Sequence, residues 1–312
     1  MTASTVLQSI LDPAGPQAAY ISRLWWLMLW VTTIVFVLVL GFLAAALLRR
    51  RRATSEQSLA RAVVAAVGAT VVILFGLLIA SVWTGRAVAS LGATSAVTIE
   101  IVGHQFWWEV QFDDADPSRR VTTANELHVP VGRPVVLKVT SRDVIHSFWA
   151  PNLHGKRDLI PGYTTAIWIQ ADRPAVYRAQ CAEFCGKQHA HMALDVVAET
   201  EAQFERWLDA QRKPAAEPAN ESEARGRDAF MRRQCVLCHS IRGTLARGLV
   251  GPDLTHLASR GKLAAGTLPN TRGHLGGWIM NSQEIKPGNL MPPNLMTSDE
   301  LQSLLTYLEI LK

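Results

Sequence analysis

Two apolar stretches open the chain, with no charged residue from Leu24 to Leu48 and none from Ala62 to Gly85. Each exceeds the roughly 20 residues a helix needs to cross the hydrocarbon core of a bilayer. The pattern therefore predicts two membrane spans, at about 24–48 and 62–85. The first run follows an Asp- and Pro-containing segment and is longer than the apolar region of a signal peptide, about 7–15 residues, so it reads as an anchor. Trp25, Trp26 and Trp30 on the first span, and Trp83 at the far end of the second, fit an interfacial aromatic belt. Between the spans lies Arg49-Arg50-Arg51-Arg52. Short arginine-rich loops stay in the cytoplasm, which puts both termini, and everything after Arg86, on the periplasmic or extracellular side.

After Gly92 the periodicity changes. Short runs rich in Val, Thr, Ile and aromatics follow at Val97–Val102, Glu126–Val129, Val135–Val139, Ala166–Gln170 and Leu194–Ala198, broken by Asp-Pro, Val-Gly, Pro-Gly and Arg-Pro turn signals. Short strands with frequent turns predict an all-β sandwich or barrel. Glu201 to Arg212 reads as a closing amphipathic helix. Lys213 to Ser222, rich in Pro, Ala and Glu without apolar periodicity, reads as a semi-rigid linker outside any core. A helix from Glu223 to Arg233, with Phe230 on its packing face, and a last helix from Asp299 to Leu311 bound a small all-α domain stapled by a cofactor. The expected plan is multi-domain: an N-terminal segment and transmembrane helical hairpin (1–92), a β-sandwich (93–212), a linker (213–222) and an α-helical domain (223–312).

Composition changes this picture little. The net charge of +5 comes partly from the arginine run. No basic patch interleaved with aromatics occurs elsewhere, so nucleic-acid binding has no support. Four cysteines fall in two pairs, Cys181/Cys185 and Cys235/Cys238. In an exported domain such pairs are first read as disulfides, and the residues around them decide.

The first pair lies in Cys181-Ala-Glu183-Phe-Cys185-Gly-Lys-Gln-His189-Ala-His191-Met192. Thiolate, imidazole and thioether in one loop form a soft donor set that selects copper over hard cations. His146, in Asp143-Val-Ile-His146-Ser-Phe-Trp149, is placed to add the upstream imidazole. Two thiolates four residues apart can bridge two copper ions, each with one His, Met192 completing one ion and a backbone carbonyl the other. Sharing one electron over two metals changes each bond little. A Cys181–Cys185 disulfide and a zinc site are the alternatives, and Met is a poor zinc ligand. His191 has the wrong phase to be a ligand and is read as supporting the site or facing a partner.

The second pair forms Cys235-Val-Leu-Cys238-His239, the covalent attachment signature of a c-type haem. A thioredoxin-like site would need a βαβ setting, and none is visible around it.

Four segments, Gly103-His-Gln-Phe-Trp-Trp-Glu109, Asp143–Trp149, Lys156-Arg-Asp-Leu-Ile-Pro-Gly162 and Gln180–Met192, closely resemble cytochrome c oxidase subunit II, over roughly Ser9 to Arg212. The resemblance implies a cupredoxin fold and a dinuclear CuA centre held by His146, Cys181, the Glu183 carbonyl, Cys185, His189 and Met192. It also suggests a magnesium ion reached by the Glu183 side chain at the boundary with subunit I. Relatives often carry Trp directly after the His-Gln pair, as the point where electrons arrive from soluble cytochrome c. Phe106 stands there, and Trp107 and Trp108 are the alternative relays. Glu56 matches an acidic residue near proton uptake by position alone and reads as a solvated loop charge. The final segment, with Gly251-Pro-Asp-Leu254 and Asn289-Leu-Met291-Pro-Pro293, resembles small class I cytochromes c, which implies His239 and Met291 as axial ligands. Met280 and Met296 are lesser candidates, and His256 and His274 read as surface or propionate-side residues.

The expected function follows from these resemblances. The chain would pass electrons from its own haem c to CuA and on to a separate haem–copper subunit that reduces dioxygen to water with proton pumping. Its partners would be subunit I, subunit III, an upstream cytochrome c or cytochrome bc complex, and the lipid bilayer of a bacterial inner membrane. No catalytic residue for oxygen chemistry is expected in this chain. Nitrous oxide reductase would need a propeller domain for which there is no room, and quinol-oxidase relatives lack the copper ligands. A copper-delivery or thiol-redox protein would need the cysteines alone.

Overall fold

The computed structural model describes residues 6–48, 55–90 and 97–312. The arginine run expected to face the cytoplasm, Arg49–Arg52, lies outside the described residues.

The helical unit contains α1 (Pro16–Leu48, 33 residues) and α2 (Glu56–Ser90, 35 residues). Both are long and apolar enough to cross a membrane. At 1.5 Å per residue each runs to about 50 Å, beyond a hydrocarbon core of about 30 Å. They outrun the uncharged stretches because charge does not stop a helix, and Pro16 sits at the first position, where its missing N–H costs nothing. Glu56 lies in the first turn of α2, where a carboxylate complements the helix dipole; it is not a loop charge.

The second unit comprises residues 1–15 and 93–312. Its β portion is a sandwich. One sheet has the order β4 (Val121–Ala124), β3 (Trp107–Phe112), β2 (Val97–His104), β6 (Val135–Ser141) and β9 (Thr165–Ile169). The other runs β5 (Glu126–Pro130), β11 (Ala193–Glu199), β10 (Ala175–Cys181), β7 (His146–Trp149) and β8 (Arg157–Leu159). The two inner faces alternate into one core that includes Ile99, Ile101, Trp108, Leu137, Phe148 and Val196. Helix α3 (Glu201–Gln211) closes it, starting at a capping box of Thr200 and Gln203.

Residues before the first helix belong to this β unit. A short strand β1 (Val6–Leu7) pairs in parallel with Val176 and Tyr177 of β10. Ala14 enters the sandwich core, and Arg173 holds Asp12 at 2.6 Å. The sequence reading grouped this segment with the hairpin, because two residues are too few to show strand periodicity.

The C-terminal portion is helical: α4 (Glu221–Arg232), α5 (Cys235–Cys238), α6 (Arg272–Met280), α7 (Ser282–Ile285) and α8 (Ser298–Glu309), with one small hairpin of β12 (Lys262–Leu263) and β13 (Leu268–Pro269). Helices α4 and α8 pack closely, and a Cβ at Gly226 would collide with the Ser303 carbonyl. Phe230 is buried against Tyr307.

The expected linker is not free of the core. Ala215 is buried in the helical domain's apolar cluster, and its N–H donates to the Arg242 carbonyl at 3.0 Å. The Arg242 guanidinium donates to the carbonyls of Arg212 (2.9 Å) and Arg120 (2.7 Å). Composition signalled a loop; packing made it part of the interface.

Candidate metal centre and haem cleft

The metal centre is assembled from one strand and one loop. Strand β7 carries His146, wholly buried, at its first position. Its neighbour β10 ends at Cys181, which pairs with Phe148 in the ladder. The chain then loops through residues 182–192 and returns as β11, with the Cys181 N–H donating to the Met192 carbonyl at 2.9 Å. Adjacent strands thus bring together residues that lie 46 positions apart (192 − 146).

The six sequence-predicted donors converge. Cys181 Sγ lies 3.7 Å from His146 Nδ1, 3.8 Å from Cys185 Sγ and 3.2 Å from the Glu183 carbonyl. Cys185 Sγ lies 3.7 Å from His189 Nδ1 and 3.9 Å from Met192 Sδ. The sulfurs are far beyond the ~2.05 Å of a disulfide, and all four cysteines are free. His146, Cys181 and Cys185 are buried with their donor atoms within 4.8 Å of one another, close enough to hold a metal ion. Two thiols, two imidazoles, a thioether and a carbonyl around one point fit a soft-metal site and suit copper.

Supporting contacts orient these donors. Asp143 Oδ1 meets His146 Nε2 at 2.8 Å, leaving Nδ1 turned toward the sulfurs. Burial alone would lower the His146 pKa, but hydrogen bonds to Asp143 and Cys181 raise it. The sulfur–sulfur contact pulls the Cys181 thiol down against the opposing effect of burial, and pushes Cys185 up with burial's help. Gly103 must be glycine, because a Cβ there would lie 2.7 Å from the His146 ring. His191 is exposed and bonded to Gln188 at 2.9 Å, outside the donor set.

The magnesium expectation gains no support. The Glu183 carboxylate is engaged by Lys156 Nζ at 3.1 Å.

The haem cleft fits its signature equally well. Its walls include Cys235, Cys238 and His239 on one side and Met291 among the others, with Leu254, Leu257, Leu263, Trp278 and Ile279 supplying apolar surface. His239 Nδ1 meets the Pro252 carbonyl at 2.7 Å, so the ring donates there and Nε2 keeps a free lone pair. Burial lowers the His239 pKa, holding the imidazole neutral as a metal ligand must be. A Cβ at Gly251 would lie 2.7 Å from that ring, and one at Gly248 only 2.5 Å from the Cys238 backbone. Arg260, buried in the cleft wall, has an unpartnered Nε that suits a carboxylate on the cofactor. Asn289 fixes the Met291 backbone, accepting from its N–H at 2.7 Å. Met280 and Met296 are not among the cleft walls. His274 is exposed at the start of α6, but His256 is buried, its Nε2 3.2 Å from the carbonyls of both Gln211 and Lys213. It is a clasp on the linker rather than a surface or propionate-side residue.

The cleft is also walled by the β-sandwich: Gln105, Phe106, Trp107 and Asn125 line it together with Lys286. Gln105 donates its side-chain amide to the Cys185 carbonyl at 2.6 Å. The buried Phe106 ring sits where a Cβ on Gly186 would meet it at 3.2 Å. Trp107 stacks on His104 at 4.3 Å, and Trp108 is buried 6.1 Å from the His146 ring. Of the three aromatic relay candidates, Phe106 therefore reaches both sites, Trp107 lines the cleft, and Trp108 backs the metal centre. Sequence reading quoted Gln105 within the Gly103–Glu109 segment but gave it no role, and missed Lys286, which carries no motif; only the domain contact reveals what they do.

Comparison with known proteins agrees with this geometry. Residues 114–199 match the family described as cytochrome C oxidase subunit II, periplasmic domain, and residues 223–312 match cytochrome c. The chain carries a cytochrome c oxidase subunit II periplasmic domain followed by a cytochrome c domain. It is 34% identical over 220 residues to cytochrome c oxidase subunit 2 of Alkalihalophilus pseudofirmus, covering 70% of this chain and 62% of that one. Against cytochrome c oxidase subunit 2 of Bacillus subtilis it is 27% identical over 234 residues, covering 70% and 64%. The chain spans just under two thirds of the length of these relatives. The match to a cytochrome c domain fits the cleft around Cys235, Cys238 and His239, as the subunit II match fits the copper donor set.

Proposed function

We propose that this subunit II is the electron-accepting subunit of a proton-translocating cytochrome c oxidase, taking electrons at its own haem c and passing them through CuA to a separate haem–copper subunit that reduces dioxygen to water. The observation that carries the proposal is the shared wall: residues 105–107 line the haem cleft, and Gln105 is bonded to the backbone of the copper-loop residue Cys185.

His146, Cys181, Cys185, His189, Met192 and the Glu183 carbonyl are the proposed copper ligands, and Cys235, Cys238, His239 and Met291 hold the haem. When bound, these groups supply one-electron redox chemistry, and Met/His ligation of haem favours a high potential suited to a donor. The chain's own residues orient and dehydrate the route. Asp143 and the Pro252 carbonyl fix the imidazole tautomers, Phe106 presents an apolar ring in the shared wall, and Trp108 and Phe148 pack behind the copper donors. Because the domains are packed together, a donor encounter becomes intramolecular.

The proposed placement is a bacterial inner membrane, with both termini and the soluble domains on the periplasmic side. Pairing of β1 with β10 supports this, since it puts the segment before the first span in the same unit as the domain after the second. The division into segments 1–92, 93–212, 213–222 and 223–312 is proposed with one amendment, the inclusion of β1 in the sandwich. Subunits I and III and an upstream cytochrome c or bc complex are the proposed partners.

The test is metal analysis of the purified oxidase complex, with haem staining of this chain on a denaturing gel. About two coppers and one covalently bound haem assigned to this subunit are expected. A chain that stains for no haem and whose Cys181 and Cys185 are disulfide-bonded would refute the reading.

A further inference from the structure

We propose that Lys286 is a positioning residue for electron transfer between the domains: its amine pins the Gln105–Phe106 segment, and with it the copper loop, against the haem cleft. This rests on the haem-to-copper reading above.

Lys286 leaves α7 of the haem domain with only 2% of its surface exposed. Its Nζ donates to the Phe106 carbonyl of the β-sandwich at 2.8 Å and to the Ala264 carbonyl of the haem domain at 2.9 Å. Both partners are neutral carbonyls. An amine buried without a carboxylate partner carries a desolvation cost, so the contact it makes across the boundary is the feature to explain. Methionine or leucine would fill the same space without the desolvation cost.

The carbonyl it grips is the informative one. Phe106 packs on Gly186, next to Cys185, and Gln105 donates to the Cys185 carbonyl. One residue on, the Pro287 carbonyl accepts from Gln188 Nε2 of the copper loop at 2.9 Å. Lys286 thus holds the Gln105–Phe106 segment, and Pro287 the copper loop. Other links also cross this boundary, among them Lys262 to Asp195 at 2.8 Å, the Gly261 N–H to Glu126 at 2.7 Å, the Ala193 N–H to the Ala265 carbonyl at 3.0 Å and Arg242 to the Arg120 carbonyl at 2.7 Å. They keep the domains docked when Lys286 is changed, so its loss acts locally on the route.

The test uses the intact oxidase complex carrying Lys286→Met, Lys286→Gln or Lys286→Arg. A photoexcited ruthenium complex injects one electron into the haem, and arrival at copper is followed by the near-infrared band. Lys286→Met is expected to slow transfer severalfold or more, because the Gln105–Phe106 segment is released from the haem domain. Haem staining and the copper band should stay unchanged, and Lys286→Arg, which can still donate to both carbonyls, should restore most of the rate. Should Lys286→Met fail to assemble, Lys286→Gln, too short to span both carbonyls, is expected to slow transfer severalfold. Transfer at the wild-type rate in Lys286→Met or Lys286→Gln, or equal slowing in Lys286→Arg, overturns the inference while leaving the haem-to-copper reading intact. Absence of the haem or the copper band from the wild-type complex sinks that reading instead.

Discussion

Gln105 and Cys185, 80 residues apart in sequence, are joined by a 2.6 Å hydrogen bond from side-chain amide to backbone carbonyl. One lines the haem cleft and the other belongs to the copper donor set, so a single side chain ties the two sites together. Replacing Gln105 by Leu leaves that carbonyl unpaired, at a cost of about 1–3 kcal/mol. The expected result is a lower melting temperature for the complex and faster copper loss to a chelator, both followed optically. A variant with wild-type copper retention would show that the bond does not brace the loop.

Single replacement of Cys181 or Cys185 by Ser removes one of two sulfurs that stand 3.8 Å apart. A hard hydroxyl cannot substitute for a soft bridging thiolate. Each variant should hold fewer than about two coppers per chain and lose the near-infrared band, with haem staining unaffected. Metal analysis decides this directly.

Gly251→Ala would press a methyl group against the His239 ring, 2.7 Å from Cε1. Cys235 and Cys238 are untouched, so covalent haem staining should persist while the low-spin absorption spectrum of an axially ligated haem is lost. Retention of that spectrum would mean that the ring has room to move.

Met291→Leu should lower the haem reduction potential sharply, because thioether ligation favours the reduced state. Met280→Leu and Met296→Leu, at positions outside the cleft walls, should leave it near the wild-type value. Potentiometric titration of the three variants distinguishes the ligand from its neighbours.

His128 is buried, and its ring stacks on Trp207 at 3.9 Å. Burial would lower its pKa, but the hydrogen bond to Glu199 at 2.7 Å and the charge of Glu126, 3.9 Å away, raise it above the ordinary value. A raised folded-state pKa means the protonated ring stabilises the fold. The contribution is fully present below the unfolded value near 6.5 and is lost as pH rises through the higher folded value. Melting curves of wild type and His128→Gln should therefore differ most below about pH 6.5 and converge at higher pH. A gap that widens with rising pH would contradict this.

The proposed copper ligands were legible because they cluster: five of the six lie between Cys181 and Met192, and only His146 had to be found upstream. The haem attachment residues were legible for the same reason. Strand β7 was harder, because it is buried along nearly its whole length and lacks the alternation that marks a half-exposed strand. Ala215 and His256 were misread because a Pro- and Ala-rich segment and an isolated histidine look alike whether they meet water or a neighbouring domain.

Local chemistry was settled by the chain's own order of residues. Uncharged runs marked two candidate membrane spans, soft donors at short spacing marked a loop suited to copper, and Cys-x-x-Cys-His marked a haem-attachment sequence, since each depends on residues close along the backbone. What folding alone decided is the meeting of the two redox sites: Gln105 on Cys185, Lys286 on Phe106, and the linker clasped by Arg242 and His256. Those contacts form between residues from about 30 to 180 positions apart, through single hydrogen bonds and shape, and no short-range pattern encodes such pairings.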